Sequence, residues 1–414
     1  MNNQKILVIL DVKQANPRWT NYIREIADQG CEVDILIHYS GKNVLNTEIV
    51  AHPKIRIFHS YFISFYGRSR FLTKILSMLT KYCSSKKTFL SIYDFLAFHA
   101  FLVKGKKLSQ KHKYSLVITS SSPFYAHLVG SRLRQNFNSK WIADYRDLWS
   151  FNHANSKTSQ AQIDFERKII ANADACITVS RGMKNDLKRI FPGPIHVVYN
   201  GYRYLEDTRE VLYQNSLAIE YTGQIYESNQ NISEALEFFI NSKYVEATQL
   251  NINFSGSSGI YISNYFKSKK MAIPKYFNCI GQISHIDALE RQKAAAFLLF
   301  FNWVELGDRG VVTGKIFEYI ASGVPIIIIG QTSQIEMSKI INKSGYFFFV
   351  NSTTDLDKLI YSYTQGSLEL PKRNKDFIGK FRYGEQAKII VSIFRELDKE
   401  RISVDIDDFG ISLD

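Results

Sequence analysis

Lys315 and Glu318 stand three residues apart in TGKIFEYIASGVPIII, residues 313–328. If the stretch opens a helix, the two side chains share one face. A Gly-Lys pair beside the free amides of a first helical turn suits a pyrophosphate. A carboxylate one turn further in is placed to accept two hydroxyls of a ribose. The same spacing also describes an exposed helix ion pair, worth a few tenths of a kcal/mol. The flanking runs decide between them. AFLLFF (296–301) and VPIIII (324–329) are apolar strands of the kind buried on both faces of a parallel sheet, so the helix between them should start at a ligand-binding strand end.

Two other nucleotide chemistries fail on spacing. The loop DVKQANPRWT after the first apolar run has no glycine, so a dinucleotide fingerprint is absent there, and GSSG (256–259) is only a tight turn that allows close approach. A P-loop requires Ser or Thr after Gly314-Lys315 and a glycine five residues earlier. The chain has Ile316 and Arg309 at those positions. A second group of candidates lies in SSSP and WIADYRDLW. Asp144, Arg146 and Asp147 read equally as a strand-end ion pair or as part of a catalytic face, Ser120, Ser121 and Ser122 offer hydroxyls or amides to an acceptor, and His127 opens the next helix.

The elements that must position these residues alternate strand and helix, which argues a parallel α/β architecture. Strands are expected at 5–12, 32–39, 54–58, 115–120, 140–145, 175–180 and 195–200. After a polar linker over 200–216, a second set follows at 217–223, 252–256, 276–283, 296–301, 324–329 and 346–350. A helix near 376–398 carries apolar residues on one face. Two doubly wound domains of this kind bind ligands at the carboxyl ends of their strands, with an interdomain cleft as the default site.

At 414 residues the chain exceeds one typical core, which fits two domains. Its four cysteines, Cys31, Cys83, Cys176 and Cys279, have no paired spacing and read as reduced thiols rather than a disulfide framework or zinc site. KILVIL is too short for an export signal and no run is long enough to span a membrane, so a cytoplasmic protein is expected. The net charge of +13 is concentrated early: residues 51–113 hold 13 Lys+Arg against one acid, Asp94, interleaved with aromatics. That mixture suits an anionic membrane surface. Nucleic acid is the rival polyanion, but no reader module is present and none is expected to bind. No Asp-x-Asp sits in a loop suited to a metal, so no metal site is expected.

Seven segments, in this order and spacing, resemble one known family: SLVITSSSPFYAHLVG (115–130), WIADYRDLW (141–149), FERKIIANADACITVSRGMKNDL (165–187), VVYNGY (197–202), EYTGQIY (220–226), IGQISHIDALERQKAAA (280–296) and TGKIFEYIASGVPIII. They are similar to the retaining, nucleotide-sugar-dependent glycosyltransferases of family 4, most of all the branch that builds bacterial surface polysaccharides. The resemblance implies the GT-B fold, two Rossmann-like doubly wound parallel-sheet domains facing across a cleft. It divides the chain into an acceptor-side domain (1–205), a nucleotide-sugar domain (206–375), a helix crossing back (376–400) and an acidic tail (401–414).

The resemblance also implies roles. Glu318 matches the second Glu of the family's Glu, seven residues, Glu signature, which binds the donor ribose. Gly314, Thr313, Val312, Gly223, Gln224 and Ile283 join it in the donor set. The first Glu falls at Gly310, with Asp308 and Glu305 nearby as substitutes. The family's phosphate-binding Arg and Lys have no counterpart in TGQIYESNQN, which leaves the diphosphate to Lys315 and the amides of Val312 to Gly314. Arg146-Asp147 stand where many relatives have His-Asp, and with Lys315 and His127 they are the catalytic candidates. The implied reaction is metal-independent transfer of a hexosyl or acetamidohexosyl group, from a UDP-sugar more than a GDP-sugar, to a saccharide or polyprenyl-linked acceptor. It would take place at the inner face of the plasma membrane, with no cofactor beyond the donor. A sugar-nucleotide epimerase of the same fold and a non-catalytic GT-B scaffold or membrane-binding partner are the alternatives.

Overall fold

The computed structural model describes residues 4–10, 17–38, 51–61, 90–152, 158–206, 217–225, 232–248, 250–301, 312–330 and 336–398. Gly310, Asp308 and Glu305, the middle of the basic segment (62–89) and the acidic tail lie outside them. The chain forms two compact units. One ends at Tyr199 and resumes at Tyr383, and the other runs from Asn200 to Arg382.

In the first unit, β1 (Lys5–Leu10), β2 (Glu32–His38), β3 (Ile55–Ser60), β4 (Leu116–Ser121), β5 (Lys140–Tyr145), β6 (Ala175–Thr178) and β7 (Ile195–Val197) form one sheet in the order β3-β2-β1-β4-β5-β6-β7. Every pairing is parallel. Parallel neighbours need crossover connections, and the helices that supply them cover both faces. That is why β4 and β1 are buried along almost their whole length rather than at alternate residues.

The second unit repeats the plan. β8 (Ala218–Thr222), β9 (Asn251–Ser255), β10 (Phe277–Gly281), β11 (Phe297–Phe301), β12 (Ile326–Ile329) and β13 (Phe347–Val350) lie in the order β10-β9-β8-β11-β12-β13, again all parallel. FLLFF and IIII are buried at every residue and pair with each other in register. In both sheets the strand order reverses beside the first strand, between β1 and β4 and between β8 and β11. Connections leave such a point in opposite directions, which opens a crevice at the carboxyl ends of the strands.

The helix expected over 376–398 is two helices, Lys375–Gly379 and Tyr383–Asp398. The cause is a change of core. Phe377 and Phe381 pack on each other, and Phe381 also packs on Phe317 of the second unit. From Tyr383 onward the apolar face joins the first unit, where Tyr383, Ala387, Ile390 and Phe394 share a core with Trp19, Tyr22, Ile23 and Ile26. Gln386 fixes the register of that return by accepting the Tyr199 amide at 2.8 Å.

One buried charge holds the first unit at its switch point. Asp144, at the end of β5, is fully enclosed and receives Arg18 Nη1 at 2.7 Å, Trp19 Nε1 at 2.6 Å and Ser120 Oγ at 2.6 Å. Arg18 also donates to the Val198 carbonyl at 2.9 Å. The cluster ties the helix Pro17–Asp28 to β4, β5 and the segment after β7. Removing one member of a buried pair leaves the other charge uncompensated, which costs about 3–5 kcal/mol. Asp144→Ala should therefore lower stability by that amount in chemical denaturation. A variant that kept wild-type stability and lost only turnover would instead place Asp144 in the reaction.

Candidate functional site

The helix Gly314–Ala321 starts beside the end of β8. Its N-cap, Thr313, has an extended backbone but its hydroxyl makes no capping bond, and Thr313 Oγ1 is buried with no partner among the described residues. The amides of Gly314 and Lys315 precede the first intrahelical bond made to Thr313, from Ile316 at 3.3 Å. They remain directed outward from the helix start. Gly314 lies beside the Asn200 side chain, and Val312 is buried beneath the turn.

Lys315 and Glu318 do not form the helix ion pair that their spacing allows. The Lys315 ammonium sits 3.7 Å from the centroid of the Tyr221 ring on β8, a cation–π contact. Its stem passes over Gly223, where an added Cβ would lie 3.1 Å from Lys315 Cε. Gly223 is also held at φ +113°, a conformation that favours glycine. Burial lowers the Lys315 pKa to about 7, and the nearby charge of Glu318 opposes that shift only in part.

Glu318 turns the other way. Its Oε1 meets His285 Nε2 at 2.8 Å, and its Oε2 lies 3.5 Å from Gln292 Nε2, both groups coming from the helix His285–Ala294 after β10. The hydrogen bond to Glu318, followed by its charge, raises the His285 pKa, while partial burial opposes the rise. Gln292 is buried and donates to Thr222 Oγ1 at 2.9 Å, and the Thr222 amide donates to Tyr319 OH at 3.0 Å. Three helix and strand ends are thereby joined through side chains around the Glu318 carboxylate.

The floor of the crevice is glycine. Gly223 donates to the Ser255 carbonyl at 2.8 Å, and Gly256 donates to the Gly281 carbonyl at 2.6 Å. A Cβ on Gly256 would come within 2.9 Å of the Gly223 carbonyl oxygen. Successive strand ends therefore approach each other with backbone alone. Gln224 is exposed beyond Gly223, its carbonyl accepting Tyr221 OH at 2.8 Å, and Ile283 is half-buried in the loop before His285.

In the first unit, Arg146 and Asp147 follow β5 and lie 3.1 Å apart, with Asp147 largely exposed. The Arg146 amide donates to the Ser121 carbonyl at 3.2 Å, which sets them at the strand-end rim with Ser122 exposed beside them. His127 is not on that rim. Its ring is fully enclosed among Phe124, Trp141 and Tyr145, with Nδ1 2.8 Å from Thr119 Oγ1. Desolvation alone lowers its pKa to about 3. A neutral imidazole walled off from solvent is a core residue, held where Gly130 lets Trp141 pack flush against the next turn. Asp144 likewise belongs to the buried cluster that ties this unit together. Among the described residues no group of three or more His, Cys, Asp or Glu side chains is placed to hold a metal ion.

His285, Gln292, Thr222, Tyr319 and Tyr221 were not singled out from the sequence. The only local signal is the placement of His285 and Gln292 seven residues apart, two helical turns.

A family model described as Glycosyltransferase Family 4 matches residues 18–203. No curated protein matches the chain. Among solved structures, sucrose-phosphate synthase from Thermosynechococcus elongatus is similar at TM-score 0.62 and 15% identity, over 96% of this chain and all of that one. An Anabaena protein, HepE, in complex with UDP and glucose is similar at 0.59 and 12%, over 95% of this chain and all of that one. UDP-GlcNAc 2-epimerase from Methanocaldococcus jannaschii is similar at 0.54 and 15%, over 95% and 99%. Two parallel-sheet α/β units with such neighbours are the GT-B fold.

The two histidines should separate in an NMR titration. His285 should titrate above the ordinary value of about 6.5, because the Glu318 carboxylate favours the imidazolium. His127 should stay neutral with unmoved ring resonances from about pH 5 to 8. A His127 that titrates in that window would mean its ring is reached by water.

Proposed function

We propose that this chain is a glycosyltransferase that takes a nucleotide-diphosphate sugar as donor, UDP-linked rather than GDP-linked, and passes the sugar to a saccharide or lipid-linked saccharide acceptor. The observation that carries this reading is the divergence of Lys315 and Glu318 at the glycine-floored end of β8. A cation beside free helix amides fits the diphosphate, and a carboxylate one turn away fits the ribose diol. The family match over residues 18–203 supports sugar transfer, and the UDP of the Anabaena complex and of the epimerase's substrate supports uridine.

Transfer with retention is the proposed stereochemistry. Negative charge gathers on the departing β-phosphate as the sugar becomes oxocarbenium-like, and Lys315 with the amides of Val312 to Gly314 stabilises it without a metal. The leaving phosphate then helps to deprotonate the acceptor on the same face. Bacterial surface polysaccharide synthesis is the proposed setting. An epimerase is the rival, favoured by the similarity to the Methanocaldococcus enzyme.

An anionic membrane is the proposed surface on which the acceptor is met, through residues 51–113. In the described part, the helix Ile92–His112 exposes Phe95, Leu96, His99 and Val103 and then Lys107 and Lys111 along one side. Apolar insertion at one end and basic attraction at the other fit an inner-leaflet surface. Among the described residues no helix is long and apolar enough to cross a membrane.

The pH dependence of donor binding tests the site. A bound diphosphate favours the ammonium form of Lys315. Below about pH 7 the proton is already present, whereas above it binding must draw one from solution. Affinity should fall as the pH rises past that point, by up to about tenfold per unit. The diphosphate's own last ionisation, at about 6, is complete by then. Calorimetric titration with UDP in EDTA should show this weakening, and Lys315→Met should bind more weakly with a flat profile. No UDP binding at any pH would remove the donor site, and isomerisation of a UDP-sugar without acceptor would favour the epimerase. Flotation with phosphatidylserine vesicles at low salt should carry the protein upward, and Phe95→Ser with Val103→Ser should release it. Wild-type protein that stays at the bottom at low salt would remove the membrane surface.

A further inference from the structure

We propose that His285 is a positioning residue that holds the Glu318 carboxylate away from Lys315, so that the carboxylate is presented to a ribose diol while the ammonium stays available to the diphosphate. This rests on reading Glu318 as the ribose ligand. On an isolated helix, residues at i and i+3 attract each other when oppositely charged. Had Lys315 and Glu318 paired, each would occupy the other. The structure instead gives each a separate hold from a different element. Tyr221 of β8 takes the ammonium face-on, and His285 of the helix after β10 takes Oε1.

The hold on Glu318 leaves room for a ligand. A carboxylate offers about four lone-pair sites on its two oxygens. His285 uses one at 2.8 Å, and Gln292 approaches another only at 3.5 Å. Glu318 remains about one-fifth exposed and His285 about half exposed, so the pair is not closed off from solvent. Gln292 is itself fixed by Thr222, which ties the carboxylate's orientation to the end of the strand that carries Lys315's ring partner. Two vicinal hydroxyls donating to both oxygens would complete the set.

Selectivity between UDP and 2′-deoxy-UDP reads this role, because a loss of general packing would weaken both nucleotides alike. Wild-type protein should prefer UDP by roughly tenfold or more, the scale of a hydrogen bond to a charged group. Glu318→Gln should lose most of that preference. His285→Ala should lose several-fold of it, His285→Gln should restore much of it by donating from a similar position, and His285→Ala combined with Glu318→Gln should add little to Glu318→Gln alone. A His285→Ala protein that binds both nucleotides with the wild-type ratio would overturn the proposal. Wild-type protein that fails to distinguish the two would remove the ribose role of Glu318 first, and the proposal with it.

Discussion

Every strand pair in both sheets is parallel, so each connection has to cross a face of its sheet and both faces end up covered. Polar groups have no place along such strands unless they are paired, and they collect at the strand ends. In the second unit β11 and β12 carry only Phe, Leu and Ile, the buried Glu220 within β8 is paired with Asn253 and Arg291, and Thr222 ends β8 at the turn of Gly223. The reversal of strand order between β8 and β11 then places the helix that follows β11 next to the end of β8. Lys315 comes to rest on Tyr221 for that reason.

The two units use charge at their switch points in opposite ways. At the first, Asp144 is enclosed by Arg18, Trp19 and Ser120 and serves the packing of one helix against the sheet. At the second, the charges are kept apart and partly open. Burial makes the proton on Lys315 easy to lose, whereas the Glu318 carboxylate favours the charged form of His285. A partly desolvated cation next to a glycine floor gains more from an incoming anion than a hydrated one would, since part of its solvation has already been given up. The same burial that costs the folded protein stability therefore favours ligand binding.

The backbone was largely legible in advance. The apolar runs read from the sequence correspond to all thirteen strands among the described residues, because length and β-branching identify strands that are buried on both faces. Ends were less legible: the run at 175–180 stops at Thr178, since Ser180 caps the next helix by accepting the Met183 amide. The stretch 376–398 reads as one helix in the sequence because one apolar stripe serves two cores in succession. The position of His127 after SSSP suggests the strand ends, yet one turn of helix rotates its ring inward against Trp141 and Tyr145.

By itself the sequence determined the parallel α/β class, the run of strands and helices, and the local face shared by Lys315 and Glu318. Those follow from periodicity and from residues close in the chain. Only the tertiary structure decided what each of these side chains touches. Tyr221, His285 and Gln292 lie 94, 30 and 23 residues from Lys315, reckoned from their positions in the chain, and strand order alone brings them together. An i, i+3 pair of opposite charge has a local preference of only about 0.2–0.5 kcal/mol. A ring beneath the ammonium and an imidazole beside the carboxylate outweigh it, and neither partner could be found from the spacing of the pair.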